Sequence, residues 1–508
     1  MLRDHHTIGC AGYNPHTGRF ISTCPDYFRP DFTKTFDKPG TWAVLNDEGF
    51  DCTENRFVKL SDLTILISRI PMYMESTGRW FILGQYTDEH HVLHPTIFYS
   101  DDDGESWTMQ MLRETAPPFE ITPPHKGVRW QQYSCEPTLV ETTPGELLMI
   151  VRTSQDYYYQ YRSHDNGVTW SSPEPSPFHG TITMPTLEKL EDGRIVFFWC
   201  STQPMPELDQ SALRPPLNKR EIAGLAEDFF TNRDANHMAI SEDNAATWIG
   251  SRELFLNEVR SNADFRSVGG VDSRDKSVHQ GQMLELPYNK LLIHFGQNKS
   301  ARRVMILDID WLYEQQRHED FRLGLQAVTT HMFVNSNPGN YRGFSGHCAY
   351  NRTHGALLVP DPDENFEEVL QICRIEDPRL AYKKQGVVWN FPASRQGTVT
   401  VDLRVHGSGA AVSLCDHWYN AFDETVPESA AFSIAVTREM CPADRWTRLS
   451  MHYDLDKGTV YVTADDRALG ELPIRQDAPL GLNYLHIQTL AEAEDTQGTL
   501  VREMHKTV

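Results

Sequence analysis

Residues 163–170 read SHDNGVTW, and the reading of this octad decides the fold. Asp-Asn-Gly is turn chemistry. An Asp carboxylate accepts N–H bonds from the residues that follow it, and Gly supplies a left-handed backbone that other residues resist. A turn alone has no need of the tryptophan. The same order returns in SDDDGESW at 100–107, with Ser100, Asp102, Gly104 and Trp107 at equal offsets. It returns again in SEDNAATW at 241–248, where Ala245 takes the glycine's place. LNDEGFDC at 45–52 is a weaker copy that keeps Asp47 and Gly49. The starts lie 55, 63 and 78 residues apart, intervals that hold four antiparallel strands but vary too much for a tight solenoid. Each octad is read as a structural staple without a catalytic part, its Trp packed over the turn between adjacent strands.

Around each octad the chain alternates strand, turn and strand. The clearest unit is YSCEPTLVE, a TPGE turn, LLMIVR, YYYQYR and then the octad; TMPTLEKL, EDGR, IVFFWC and HMAIS repeat the plan. Period-2 patches between Gly-containing turns predict an all-β chain, and blades of this size predict a β-propeller. About five units are countable between residues 5 and 318. A sixth is expected, built from irregular segments such as 108–130 or 202–236, and NKREIAGLAEDFF (218–230) reads as a helical insertion. Beyond 319 the strict alternation of VTVDLRV (399–405) and LSMHYDL (449–455) predicts a jelly-roll β-sandwich with one buried face. The division expected is a propeller over 1–318 and a sandwich over 319–508.

Composition sets the outer bounds. The 508 residues are 39% hydrophobic, enough for two or three domains, and no apolar run has the length of a membrane span, so no membrane partner is expected. MLRDHHTIGC lacks the layout of a secretory signal, which points to the cytoplasm unless a leader was removed. The nine scattered cysteines include no CxxC pair and predict neither a disulfide framework nor a zinc ribbon. A formal charge of −23 argues against a nucleic-acid partner, and an acidic β-rich surface permits a homo-oligomer. No cofactor or metal is expected, since the adjacent His90 and His91 point apart in a strand.

The octad S-x-D-x-G-x-T-W resembles the Asp-box, or BNR repeat, of the sialidase (neuraminidase) superfamily. SRIP at 68–71 resembles that family's arginine motif, and CEPTLVETTPGELLMIVR at 135–152 resembles its segment with a Glu opening one strand and an Arg closing the next. The latter spacing has a geometric sense of its own. A strand, a tight turn and a strand back return the chain to the rim it left, so Glu136 and Arg152 face one mouth. The same logic carries Arg69 to Asp88. The resemblance implies a six-bladed catalytic propeller in which Arg69 and Arg152 bind a substrate carboxylate. Asp88 then serves as acid/base, and Glu136 polarises a nucleophile.

The family's nucleophile is a tyrosine opening the last inner strand. Its place falls in DKSVHQGQ (275–282), where His279 and Gln280 stand. Tyr133, Tyr157 or Tyr158 would then have to reach in, or His279 would act as general acid or base. Arg266, Arg274 and Arg303 compete for a third arginine. The resemblance implies an exo-acting glycoside hydrolase releasing a terminal acidic sugar, sialic acid first, from a glycan or oligosaccharide. The rivals are a uronic-acid-directed glycosidase or lyase using His279 and a non-catalytic glycan-binding propeller. RWTRLSMHYDLDKGTVYVTADDR resembles the lectin-like (concanavalin or laminin-G type) sandwiches appended to glycosidases. A carbohydrate-binding module and a structural brace both fit that domain.

Overall fold

The computed structural model describes residues 11–25, 40–47, 56–89, 92–120, 129, 133–201, 233–258, 277–296, 302–334, 351–380 and 382–508. Five antiparallel sheets follow one another as blades. Blade 1 comprises β1 (Gly12–Tyr13), β2 (Phe20–Pro25), β3 (Thr41–Asn46) and β4 (Arg56–Ser61). Blade 2 has a broken inner strand, β5 (Leu66–Ile67) and β6 (Met72–Met74), paired with β7 (Arg79–Thr87), then β8 (Leu93–Ser100) and β9 (Thr108–Met111). Blade 3 is β10 (Cys135–Thr143), β11 (Glu146–Arg152), β12 (Tyr157–Ser163) and β13 (Glu174–His179). Blade 4 is β14 (Thr186–Lys189), β15 (Ile195–Cys200), β16 (Ala235–Ser241) and β17 (Ile249–Leu256). Blade 5 shows three strands, β18 (Gln282–Leu286), β19 (Lys290–Phe295) and β20 (Arg303–Asp308). This is the all-β, propeller-then-sandwich architecture expected. One expectation is corrected: residues 108–111 complete blade 2 as β9 and start no sixth blade, because they pair with β8. The helix expected at 218–230 lies outside the described residues.

The three good octads join the third and fourth strands of blades 2, 3 and 4. In each, the Ser hydroxyl accepts the N–H of residue five, at 2.8 Å for Gly104 and 2.9 Å for Gly167 and Ala245. The Asp carboxylate accepts the N–H of residue seven at 2.8 Å in all three. Two left-handed residues in succession close the loop: Asp103 and Gly104, Asn166 and Gly167, Asn244 and Ala245, the last alanine held at φ 63°. The tryptophan does more than cover its own turn. Trp107 packs into the core between blades 1 and 2, Trp170 between blades 2 and 3, and Trp248 between blades 3 and 4. Each turn also offers a carbonyl to an arginine of the preceding blade. Arg19 donates to the Asp103 carbonyl (2.6 Å), Arg79 to the Asn166 carbonyl (2.5 Å) and Arg162 to the Ala245 carbonyl (3.3 Å). Each octad therefore joins neighbouring blades as well as neighbouring strands.

The sandwich stacks two antiparallel sheets over one core. The larger runs Leu357–Pro360, Glu368–Arg374, Asp495–Thr507, Gln396–Val405, Thr447–Asp454, Thr459–Ala464 and Arg467–Pro473. The smaller runs Val328–Thr329, Gly386–Ser394, Leu482–Thr489, Ala410–Cys415 and Phe432–Val436. Arg317–Glu319 already pairs with the strand Asp495–Thr507, so the larger sheet starts at Arg317. The sandwich packs on blade 4: Ala235 and Leu256 share a core with Val388, Trp418, Tyr419 and Tyr484. Asp234, fully buried, takes Arg352 at 2.9 Å, His331 at 3.1 Å and Asn257 at 2.8 Å. Burial alone would raise the Asp234 pKa, but Arg352 and His331 hold it well below the usual carboxylate range.

Three substitutions test this packing. At Gly167 a Cβ would lie 2.8 Å from the Phe81 ring on a backbone with φ 81°. Gly167→Ala is expected to cost about 2–3 kcal/mol in urea unfolding. Ala245→Gly should change stability by under about 1 kcal/mol, since relieved strain is offset by lost methyl burial and added chain entropy. Asp234→Asn removes the buried charge that Arg352 and His331 share and is expected to cost about 3–5 kcal/mol in the same measurement. A cost below about 1 kcal/mol would show that the seam does not depend on that charge.

Candidate active site

The strand register fixes the rim. Cys135 pairs with Arg152 across β10 and β11, so Glu136 and Arg152 stand at the same end of blade 3. Their side chains meet, Arg152 Nη1 donating to Glu136 Oε2 at 2.6 Å. The inner strand β10 lies against β7 on one side and β14 on the other, and β14 lies against β18. The Glu136 N–H donates to Gln85 Oε1 at 2.5 Å, tying the rim of blade 3 to that of blade 2.

Arg69 crosses the mouth. It leaves the broken inner strand of blade 2 and donates to Thr186 Oγ1 (2.7 Å) at the start of β14 and to the Gly281 carbonyl (3.4 Å) just before β18. Blades 2, 4 and 5 thus meet on one guanidinium. Its hydrogen-bond partners are a hydroxyl and a carbonyl, both neutral. Burial lowers its pKa to about 10, against the opposing charges of Glu136 and Glu188. At neutral pH it therefore remains charged, though desolvated. Burial likewise pushes Glu188 up to about 7, with Arg69 opposing and Glu285 adding to the shift.

A third arginine, Arg233, stands just before β16 and is 1% exposed. Its Nη1 lies 3.0 Å from His279 Nε2 and it also donates to the Ile182 carbonyl. Tyr158 lies within electrostatic reach of both Arg152 and Arg233. Arg233 escaped sequence reasoning because the long segment before β16 displaces it from the expected spacing. The available signal was an Arg immediately ahead of a predicted third strand. Of the arginines considered instead, Arg303 pairs with Glu258 on β20, while Arg266 and Arg274 lie outside the described residues.

His279 is buried beneath the rim at 1% exposure. Arg can only donate, so Nε2 accepts from Arg233, and the ring proton sits on Nδ1 toward Ser277 Oγ at 2.7 Å. The imidazole is thus neutral, its Nε2 lone pair engaged by a guanidinium. Gln280 beside it has φ 65°. Asp88 stands past the end of β7 on the same rim. Its Oδ1 accepts the Val92 N–H at 2.9 Å and its Oδ2 meets His94 Nε2 at 3.0 Å. Tyr133, half-buried, has its pKa raised by burial and by Asp88. Tyr158 is fully buried with its hydroxyl on Thr183, while Tyr157 is 38% exposed.

Three non-glycine residues hold left-handed backbone at equivalent places on this rim. Glu136 (φ 45°) opens the inner strand of blade 3, Ile182 (φ 52°) precedes that of blade 4, and Gln280 (φ 65°) precedes that of blade 5. For a β-branched residue such as Ile182 this is a genuine outlier. Strain of this kind, about 1–3 kcal/mol each, clusters at functional sites.

Fold and rim together define an Asp-box β-propeller with arginines gathered at one end of its channel, joined to a β-sandwich. Residues 32–255 match the BNR repeat-like domain family, a span that reaches from ahead of β3 into β17. That match bears out the Asp-box, or BNR-repeat, resemblance over the propeller. The sequence matches no curated protein. Among solved structures the chain is similar to Trypanosoma rangeli sialidase in complex with 2,3-difluorosialic acid, at 11% identity over 98% of this chain and 80% of that one, with a TM-score of 0.35. The same enzyme with sialic acid matches at 11% identity over 98% and 80%, with a TM-score of 0.32. NanB plus Optactamide matches at 14% identity over 54% and 36%, with a TM-score of 0.34. Likenesses this slight assign no chemistry to the rim.

Glu188 gives the channel a measurable titration. Its folded pKa of about 7 lies above the usual carboxylate value. Its contribution to stability is therefore fully present below that usual value and lost as pH rises through about 7. Glu188→Gln is expected to gain stability relative to the wild type between pH 5 and pH 8, read from thermal midpoints at each pH. Parallel curves for the two proteins would mean that Glu188 ionises normally.

Proposed function

We infer that the chain is a glycoside hydrolase that removes a terminal acidic sugar from a glycan, sialic acid being the first candidate. The observation that carries this reading is Arg69. It is a charged guanidinium in the mouth of the channel, with lowered pKa and only neutral hydrogen-bond partners. A desolvated guanidinium favours a planar carboxylate that accepts paired N–H bonds. Arg152 and Arg233 supply further donors from blades 3 and 4, and His279 orients Arg233 as a neutral acceptor. With the carboxylate so held, the anomeric carbon lies toward the Glu136 side of the rim. Asp88 then protonates the leaving oxygen, with His94 as its proton-sharing partner. Glu136 takes the proton of a tyrosine nucleophile, and Tyr133, next to Asp88, is the tyrosine we assign to it. Charge developing on the sugar ring falls between these carboxylates, as an oxocarbenium-like transition state requires.

The engagement of both His279 ring nitrogens, by Arg233 and by Ser277, argues against its acting on the sugar itself, as the uronate-lyase reading would need. The experiment is hydrolysis of a sialyl aryl glycoside, with uronate-terminated oligosaccharides assayed beside it. Arg69→Ala and Arg152→Ala are each expected to lower kcat/KM by about 100-fold or more. Asp88→Asn and Glu136→Gln should lower kcat by about 100-fold or more with smaller changes in KM. Full activity in Arg152→Ala would show that the site is elsewhere. Free sugar acid bound by the wild type without turnover of any glycoside would make the propeller a binding module.

A further inference from the structure

A column of four rings runs from this rim into the sandwich. Tyr157 opens β12 five residues after Arg152, and its ring lies 4.3 Å from that of His179 at the end of β13. His179 stacks on His417 of the sandwich, with ring centres 3.7 Å apart and planes 12° from parallel, and His417 meets Tyr419 at 4.2 Å. Asp416 fastens the middle of the column: His417 Nδ1 lies 2.6 Å from its Oδ1 and His179 Nε2 3.4 Å from its Oδ2. The donor atoms of His179, Asp416 and His417 lie close enough together to suggest a metal. The near-parallel rings, however, set the nitrogen lone pairs side by side without converging. The cluster is therefore a fastening. The loop beneath Tyr157 is fixed as well, since the buried Arg129 donates to the Ser154 carbonyl (2.9 Å) and to Asp156 (2.7 Å).

What all this holds in place is one exposed aromatic ring on β12, at the end of blade 3 where Arg152 closes β11. Tyr157 is 38% exposed, whereas Tyr419 at the far end is 6% exposed. An unused surface tyrosine needs no four-ring support built from two domains. We propose that Tyr157 is a sugar-stacking platform that binds the neutral pyranose next to the terminal acidic sugar, and that the sandwich contributes to this subsite by fixing the ring. The C–H face of a pyranose is apolar and packs on an aromatic face, while its hydroxyls remain in water. This inference rests on the reading of the rim as a sugar site. It gives the sandwich a part in specificity even if that domain binds no glycan of its own.

The test compares two substrates of one sugar acid, sialyl-lactose and sialyl fluoride. The fluoride's leaving group is a single atom and cannot reach Tyr157. In Tyr157→Ala the ratio of kcat/KM for sialyl-lactose over the fluoride is expected to fall about five-fold, through KM. Tyr157→Phe, which keeps the ring, should retain most of that ratio, and His417→Ala should lower it in the same direction. Saturation-transfer NMR with free lactose is the second arm, with contacts expected in the wild type and lost in Tyr157→Ala. A ratio unchanged in Tyr157→Ala overturns the proposal, as does lactose binding that survives the substitution or is absent from the wild type. If the wild type cleaves neither substrate, the hydrolase reading falls, and the lactose arm still decides the platform.

Discussion

Everything at the rim depends on how one blade is held to the next, and the Asp-box turn supplies that hold. Within each turn a serine hydroxyl and an aspartate carboxylate take the backbone N–H groups that two left-handed residues leave pointing inward. So constrained, the turn presents a backbone carbonyl, a glycine or alanine face and a tryptophan to the preceding blade. Arg19 and Arg79 occupy the same position in the turns HTGR and STGR, and each reaches the octad of the following blade. The hydrophobic core is correspondingly a series of slabs between blades, from Ile21 and Trp80 through Phe81 and Leu147 to Ile150 and Phe197. A slab fixes the angle between two blades and hence where their inner strands end.

That angle is what lets side chains from different blades converge without long loops. Glu136, Ile182 and Gln280 occupy corresponding places where inner strands begin, and all three take backbone that non-glycine residues avoid. Arg69 spans the gap between them, and Glu136 and Arg152 meet because two paired strands bring them to one end. The cost of these conformations and of burying guanidinium groups is borne by the slabs beneath. The same logic explains why His279 is neutral. A second positive charge 3.0 Å from Arg233 would be repelled in a site where guanidinium groups already crowd.

The fold was legible because its signals are local and repeated. Turn residues at fixed offsets and period-2 strands state their structure without help from distant contacts, which is why β10 to β12 fall where YSCEPTLVE, LLMIVR and YYYQYR place them. Glu136 and Arg152 were legible for a related reason, since hairpin register converts a sequence spacing into a distance. Arg233 was not, because its distance from the octads depends on the length of an insertion, which carries no period. The pairing of Asp88 with His94 depends on β8, a partner that Arg69's position alone does not specify. The burial of His279 beneath the rim likewise depends on Arg233, a contact between segments 46 residues apart. The arginines of the HTGR and STGR turns were visible in the sequence as a repeat. Their meaning lay in a neighbouring blade, which one blade's pattern cannot show.

The sandwich was read as either a brace or a sugar-binding module, and its contacts make it a brace in the first instance. Asp234, adjacent to Arg233, is held by Arg352 and His331 from the chain beyond the propeller. Tyr484 of the sandwich donates to Glu253 of β17 at 2.9 Å, and Asn390 accepts the Glu253 N–H at 3.0 Å. A buried carboxylate paired with a buried arginine is weak evidence for net stability but fixes geometry strongly, since any other arrangement strands a charge. Placed one residue from a rim arginine, that constraint passes directly to the site. The sandwich therefore bears on the propeller's chemistry through Asp234 and Arg233, whatever it binds on its own surface.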